Sequence, residues 1–360
     1  MKILQVITSM RMGGAEKLVA EMVPLMKKAG HEVDILLFDG TETSLKQELK
    51  KKGVTIYNLS IGGFVYNPLY IFKLVSYLKK YDIIHTHNTA CQLFVALANI
   101  LYSATIITTE HNTSNRRRNW KWFRIIDNWM YNKYKTIICI SDAAEKNLKE
   151  YLNHCKTHII TIYNGINITQ FSKAKANNTL KQESEKRHIL TMVAGFREQK
   201  DQDTLIRSLK HLPIDHYEVW LIGDGERKSQ LCELCKKEHV ENYVRFLGIR
   251  NDIPEILKAS DIIIMSSHFE GLSLSSIEGM VSGKPFIASD VDGLREITKG
   301  AGILFPEGNE KALAKNIQEL IENKILYDET AQQCMKKAAK YDIMYTTKKY
   351  LEIYQGISHD

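Results

Sequence analysis

Short apolar runs alternate with segments of helical period along most of the 360 residues. In the first half the runs are KILQVIT, HEVDILLF, TIYNL, DIIHTH, ATIITTE, TIICIS and IITIYN. Runs of this length, bounded by turn-forming residues, suit buried strands. Between the first two, residues 14–29 place Ala15, Leu18, Val19, Met22, Val23 and Met26 on one face of a helix. Strand and helix in alternation predict a parallel sheet covered on both sides. A polar stretch, SKAKANNTLKQESEKR (172–187), then shows no period and reads as a linker or surface loop. The rhythm resumes with HILTMVAGF, YEVWLIGDG, YVRFLG, DIIIMSS, KPFIASD and GILF.

A chain this long exceeds one comfortable core, so two α/β domains are expected, each with a doubly wound, Rossmann-like sheet. Residues 1–170 form the first and 188–340 the second, with a linker at 171–187. Residues 341–360 are expected to be a helix crossing back to the first domain. Such sheets bind ligands outside the carboxyl ends of their strands. Two of them facing each other make the cleft between them the default site.

Composition narrows the partners. The 49 basic and 42 acidic side chains leave a net charge of +7, with a pI near 8.8. That excess suits a polyanionic ligand or an anionic membrane surface. It is spread along the chain without a binding motif, which argues against nucleic acid. The six cysteines (Cys91, Cys139, Cys155, Cys232, Cys235 and Cys334) show no disulfide framework, as in a reducing compartment. Cys232 and Cys235 lie on an amphipathic helix with no second cysteine pair nearby, and read as ordinary helix residues rather than a metal site. MKILQVITSM is too short for a signal peptide, and no apolar run approaches the roughly 18–20 residues that span a bilayer. The expectation is a cytoplasmic protein, soluble or peripheral.

Candidate chemistry centres on HFEGLSLSSIEGM, 268–280. Gly271 allows a sharp turn after the strand DIIIMSS, and Ser273 suits the N-cap of a helix from Leu274 to about Ser282. The backbone amides of Gly271, Leu272, Ser273 and Leu274 would then point out of the helix start, where the dipole favours a phosphate. Glu270 stands just before this anion site and Glu278 about one turn inside it. Carboxylates beside phosphates are repelled, but they can accept hydrogen bonds from vicinal hydroxyls. A nucleotide sugar carries hydroxyl pairs on both sides of its pyrophosphate. The competing reading is a capping box, Ser275-x-x-Glu278, in which Glu278 only staples the helix.

Three other stretches bear on that choice. TSMRMGGAEK opens a helix at Gly13 and Gly14 without the G-x-G-x-x-G spacing of dinucleotide folds, which argues against NAD. LIGDGE ends a strand with Gly223 and Gly225, serving either a ligand or a tight turn. FREQKDQDTLI places Arg197 and Lys200 after a strand, as a solvated loop or as cations for a pyrophosphate leaving group.

Taken together, these stretches resemble the family 4 glycosyltransferases over nearly the whole chain. HFEGLSLSSIEGMVSGKPFIASD is similar to that family's E-x7-E signature, VITSMRMGGAEK to its N-terminal Gly-Gly turn, and TTEHN to its strand-end histidine, here His111. IYNGINITQF resembles its hinge, with Asn167 where Asp is commoner; LIGDGE, VRFLGIRNDIPEILKASDI and AGILFPEGNEKALAKNI complete the pattern. The resemblance implies the GT-B fold and retaining transfer from a nucleotide-diphosphate sugar, UDP or GDP, with no cofactor and no bound metal. It assigns Glu278 to ribose hydroxyls, Glu270 to hydroxyls of the transferred sugar, Gly271 to Leu274 to the distal phosphate, and the backbone around Arg250 to the base. His111 would lie near the anomeric carbon. Asp290 and Asp292 of DVD are then loop residues rather than metal ligands. One departure stands out: the family's usual Arg position holds Gly195, while Lys200 keeps its place and Arg197 lies two residues along.

Residues 114–135 interleave Arg116, Arg117, Arg118, Lys121 and Arg124 with Trp120, Trp122, Phe123, Ile126, Trp129 and Met130. This pattern fits either a helix at an anionic membrane surface, admitting a lipid-linked saccharide acceptor, or a domain helix with core aromatics and solvated arginines. A role in bacterial surface polysaccharide synthesis is the family habit. Rival readings are a nucleotide-sugar 2-epimerase of the same fold and a non-catalytic nucleotide-sugar-binding protein.

Overall fold

The structure, a computed structural model, describes residues 1–11, 13–111, 120–152, 154–184 and 187–358. The chain forms two compact units: Met1–Gly165 with Ile343–Asp360, and Ile166–Asp342.

Unit 1 contains seven strands, β1 (Lys2–Ile7), β2 (Glu32–Asp39), β3 (Ile56–Ser60), β4 (Ile83–His87), β5 (Ile106–Glu110), β6 (Thr136–Cys139) and β7 (His158–Thr161). They form one sheet in the order β3-β2-β1-β4-β5-β6-β7, with every pairing parallel. β4 and β5 are buried at every residue, as strands covered on both faces must be. One face packs on helices that include Tyr70–Leu78, Thr89–Leu101 and Lys121–Tyr131. The other packs on Gly14–Lys28 and on the C-terminal helix Ile343–Ser358, whose Tyr350 and Tyr354 are fully buried against the layer of Ile3, Ile83 and Ile107.

Unit 2 repeats the plan with six strands: β8 (His188–Val193), β9 (Tyr217–Ile222), β10 (Val244–Gly248), β11 (Ile262–Met265), β12 (Phe286–Ser289) and β13 (Ile303–Phe305). Their order, β10-β9-β8-β11-β12-β13, is all parallel and reverses direction between β8 and β11, the Rossmann arrangement.

The stretch expected to be a linker, 171–187, belongs to unit 2 instead. Two short helices, Ile168–Lys173 and Asn178–Gln182, reach into it. Asn167 and Asn177 cap them, accepting from the backbone amides of Gln170 at 3.3 Å and Leu180 at 3.0 Å. Phe171 and Leu180 are buried, and Leu180 packs with Ile189, Trp220 and Ile222. Two apolar anchors nine residues apart among mostly polar neighbours are too sparse to show a period. Asn167 also explains a departure in the hinge pattern, because Asn and Asp cap a helix equally well. Among the described residues, no helix is long and apolar enough to cross a membrane.

Candidate active site

In unit 2 the chain ends of β8 and β11 are strapped together. β8 leads through Arg197 into a single 3-10 turn, Glu198–Lys200, closed by Asp201 in the left-handed region at φ +47°. The amide of His268 donates to the Gln199 carbonyl at 2.8 Å, and Gln199 Nε2 returns a bond to the Phe269 carbonyl at 2.8 Å. Ser266 Oγ donates to the Asp201 carbonyl at 2.6 Å. These bonds bring Lys200 Nζ onto Glu270 Oε1, which also accepts from Ser267 Oγ at 2.7 Å. Glu270 is only 8% exposed, yet no hydrogen bond among the described residues engages its second oxygen, Oε2.

The helix that follows spans Leu274–Val281. Ser273 is its N-cap, its hydroxyl accepting from the Ser276 amide at 3.4 Å. Glu278 is thus the fifth helical residue, outside the capping-box position, and it is buried. Among the described residues, the backbone amides of Gly271, Leu272, Ser273 and Leu274 find no acceptor. Gly293, at φ +82°, closes the site from below; a Cβ there would lie 2.2 Å from the Gly271 carbonyl oxygen. This approach seats the loop 290–293 under Glu270, whose amide donates to the Asp292 carbonyl at 3.3 Å. Asp290 and Asp292 both pair with Arg295.

The expected cations differ in their surroundings. Lys200 is largely buried and paired, whereas Arg197 has no ion pair among the described residues. Arg197 folds back beside Gly195, its Nε 3.9 Å from where a Cβ would stand, an ordinary van der Waals distance. Gly223 owes its identity to packing: at φ +139°, a Cβ would meet the Ala194 carbonyl oxygen at 2.1 Å. Arg250 is held by both oxygens of Asp252, at 2.8 and 2.6 Å, on the loop after β10. This pairing holds the Asp252 carboxyl below its usual range.

In unit 1, Gly13 caps the helix Gly14–Lys28 in extended conformation, and a Cβ on Gly14 would meet nothing within 4 Å. Neither glycine is demanded by backbone strain. His111 follows β5 and joins a buried chain of polar side chains. Its Nε2 lies 2.9 Å from His87 Nδ1, and His87 Nε2 lies 2.8 Å from Gln5 Oε1. Burial pushes His85 down to about 3 and His111 down to about 4, and holds His87 well below the usual imidazole range. All three rings are neutral at pH 7.

Helix Lys121–Tyr131 divides its aromatic face. Tyr131 and Met130 are buried, but Trp120 is 67% and Trp122 81% exposed, with Ile125 and Ile126 beside them. Arg116, Arg117 and Arg118 lie outside the described residues.

Two family profiles meet end to end on this chain: one described as Glycosyltransferase Family 4 over residues 12–170, the other as Glycosyl transferases group 1 over 175–341. The chain belongs to the family 4 glycosyltransferases. The two Rossmann-like units are those of the GT-B fold. The chain is 25% identical over 316 residues to an Escherichia coli UDP-Gal:alpha-D-GlcNAc-diphosphoundecaprenol alpha-1,3-galactosyltransferase, covering 82% of this chain and 81% of that one. It is 22% identical to a phosphatidyl-myo-inositol mannosyltransferase of Mycolicibacterium smegmatis, covering 96% and 91%. The crystal structure of HepE from Anabaena in complex with UDP-glucose matches it with a TM-score of 0.84 at 22% identity, over 99% of each chain.

Several residues that matter here were not singled out by sequence. Ser267, Gln199 and Asp201 act through a strap that only the fold creates. His87 left a signal: DIIHTH sets His85 and His87 two apart, on one face of a buried strand.

Proposed function

We propose that this glycosyltransferase moves a hexose from a UDP- or GDP-sugar to a saccharide hydroxyl with retention at the anomeric carbon, without a bound metal. The observation that carries the reading is the Glu270–Lys200 contact beside the bare amides of Gly271 to Leu274. A pyrophosphate suits those amides and the positive end of the helix dipole. As the bond to the anomeric carbon breaks, negative charge grows on the leaving oxygen, and Lys200, Arg197 and the amides stabilise it. Glu270 Oε2 is left to accept from a hydroxyl of the transferred sugar, while Oε1 is held by Lys200 and Ser267. Glu278, one turn inside the helix, suits the ribose hydroxyls, and the backbone around Arg250 the base. The diphosphate oxygen serves as base for the incoming hydroxyl, attacking from the same face. The likeness to HepE, crystallised with UDP-glucose, and to a galactosyltransferase whose name specifies UDP-Gal and an alpha linkage supports a UDP-sugar and retention.

The same E. coli relative is named for a diphosphoundecaprenol-linked acceptor. A lipid-linked acceptor in surface polysaccharide synthesis fits the exposed Trp120, Trp122, Ile125 and Ile126, which would rest on the inner face of the cytoplasmic membrane. Flotation with anionic vesicles at low salt tests that contact, and a protein that stays at the bottom of the gradient rules it out. The reaction itself is tested with a panel of UDP- and GDP-sugars, scored by thermal stabilisation and slow hydrolysis. A donor that is isomerised rather than cleaved would identify an epimerase, and one that stabilises without being consumed a binding protein.

A further inference from the structure

The chain of side chains behind His111 has a direction. Gln5 Oε1 only accepts, so His87 Nε2, 2.8 Å away, carries a proton and donates it. In a neutral ring that leaves His87 Nδ1 as the acceptor. The partner of Nδ1 is His111 Nε2 at 2.9 Å, which therefore carries the proton. His111 Nδ1 is left with a bare lone pair. Gln5 Nε2 donates to the Tyr354 hydroxyl at 3.2 Å, which leaves Oε1 facing His87. With its hydroxyl accepting from Gln5, Tyr354 is free to donate to His85 Nδ1, and His85 Nε2 lies 2.8 Å from Thr109 Oγ1. Thr109 Oγ1 and the Tyr350 hydroxyl close the row at 3.2 Å. Gln5, His85, His87, Thr109, Tyr350 and Tyr354 are all buried.

Every member of this row is satisfied except one atom. His111 Nδ1 is buried and has no hydrogen-bond partner among the described residues, while the residue as a whole keeps part of its surface open. A buried acceptor left unmade is costly. We propose that Gln5 and His87 are positioning residues that fix the proton of His111 on Nε2, so that Nδ1 accepts a hydrogen bond from a substrate hydroxyl. This rests on the glycosyltransferase reading for the identity of the hydroxyl, though not for the proton arrangement.

The chemistry selects the ligand group. A neutral sp² nitrogen repels phosphate oxygens and carboxylates, which have no hydrogen to give, and accepts from hydroxyls. It is also a poor base here. Taking the proton would place an imidazolium in a dry layer against the rings of His87 and His85, with centroids 5.2 Å and then 4.5 Å apart. His111 therefore orients a hydroxyl and leaves proton removal to the diphosphate.

Long-range ¹⁵N–¹H spectra of the full chain, with ring-labelled histidine at pH 7, read the tautomer directly; His111→Gln assigns the signals. The expected result is neutral His111 with hydrogen on Nε2 and an Nδ1 resonance that moves when a cleavable nucleotide sugar is added. Gln5→Met keeps the volume and removes the acceptor. Hydrogen should then appear on His111 Nδ1, and kcat should fall roughly tenfold to a hundredfold, as for other outer-shell orienting groups. Tyr350→Phe removes a hydroxyl from the same buried layer but not from the Gln5–His87–His111 path, and should leave the tautomer and kcat as they were. Hydrogen on Nδ1 or an imidazolium in the wild-type protein overturns the proposal, and that measurement needs no variant to fold. So does an Nδ1 resonance indifferent to a nucleotide sugar that stabilises the protein, or a Gln5→Met protein with unchanged tautomer and kcat. If no nucleotide sugar binds or is cleaved, the functional reading fails and the hydroxyl goes with it. The proton arrangement is still decided by the ligand-free spectrum.

Discussion

Two sheets of the same winding carry opposite electrostatic designs at their strand ends. In unit 2 the groups are ionic, and Glu270 and Lys200 meet beside a helix start rich in free amides. In unit 1 they are neutral: His85 stacks on His87, His111 lies tilted against it, and burial removes the charge of all three. The winding sets only where the strand ends point. What stands there is decided by a few residues that the core does not need. A charged cradle suits a leaving pyrophosphate, and an uncharged acceptor suits a hydroxyl.

The contrast can be broken at several points, beginning with the largest effect. Lys200→Ala should lower kcat by about 10²–10³-fold, the usual cost of one charge-stabilising group. Arg197→Ala should cost less, because that side chain is exposed and unpaired; equal losses in steady-state kinetics would make Arg197 the full substitute for the family Arg missing at Gly195. Glu270→Ala should depress turnover by about a hundredfold through a misplaced sugar. Glu278→Ala should act mainly on donor affinity, which calorimetry separates from turnover.

Acid should act on unit 1. His85 and His111 protonate near 3 and 4 in the folded chain, against about 6.5 when unfolded. The unfolded state therefore binds more protons as pH falls from 6.5 towards 4, and stability drops over that window by about 1.4 kcal/mol per pH unit for each histidine. Stability is fully retained above pH 6.5. Urea titrations at pH 7 and 5 check this, and His85→Phe, which never titrates, should flatten the slope. Gly293→Ala, strained at φ +82° and in collision with the Gly271 carbonyl, should cost about 1–3 kcal/mol and lower Tm. The smallest effect is Ser273→Ala, about 1 kcal/mol from a lost N-cap, read as a modest drop in Tm.

The fold was legible because each of the thirteen strands is a short apolar run set apart from helical segments. The helix at Leu274 was legible because Ser273, Gly283 and Pro285 mark its limits. The segment after Gly165 was not: its helices are held by two asparagine caps and two buried apolar residues, which composition hides. The contact of Lys200 with Glu270 joins residues 70 apart, and no spacing rule reaches that far. The same holds for Gln5 and His87, 82 apart, on strands made adjacent only by sheet order.

Because residues 343–360 complete the unit that residues 1–165 begin, synthesis order matters. Tyr350 and Tyr354 leave the ribosome only after all of Ile166–Asp342 has been made. Until then the nascent sheet has no lid over His85, and Gln5 has nothing to hold its amide in one orientation. Unit 2 can fold while still tethered, whereas unit 1 waits for the helix Ile343–Ser358.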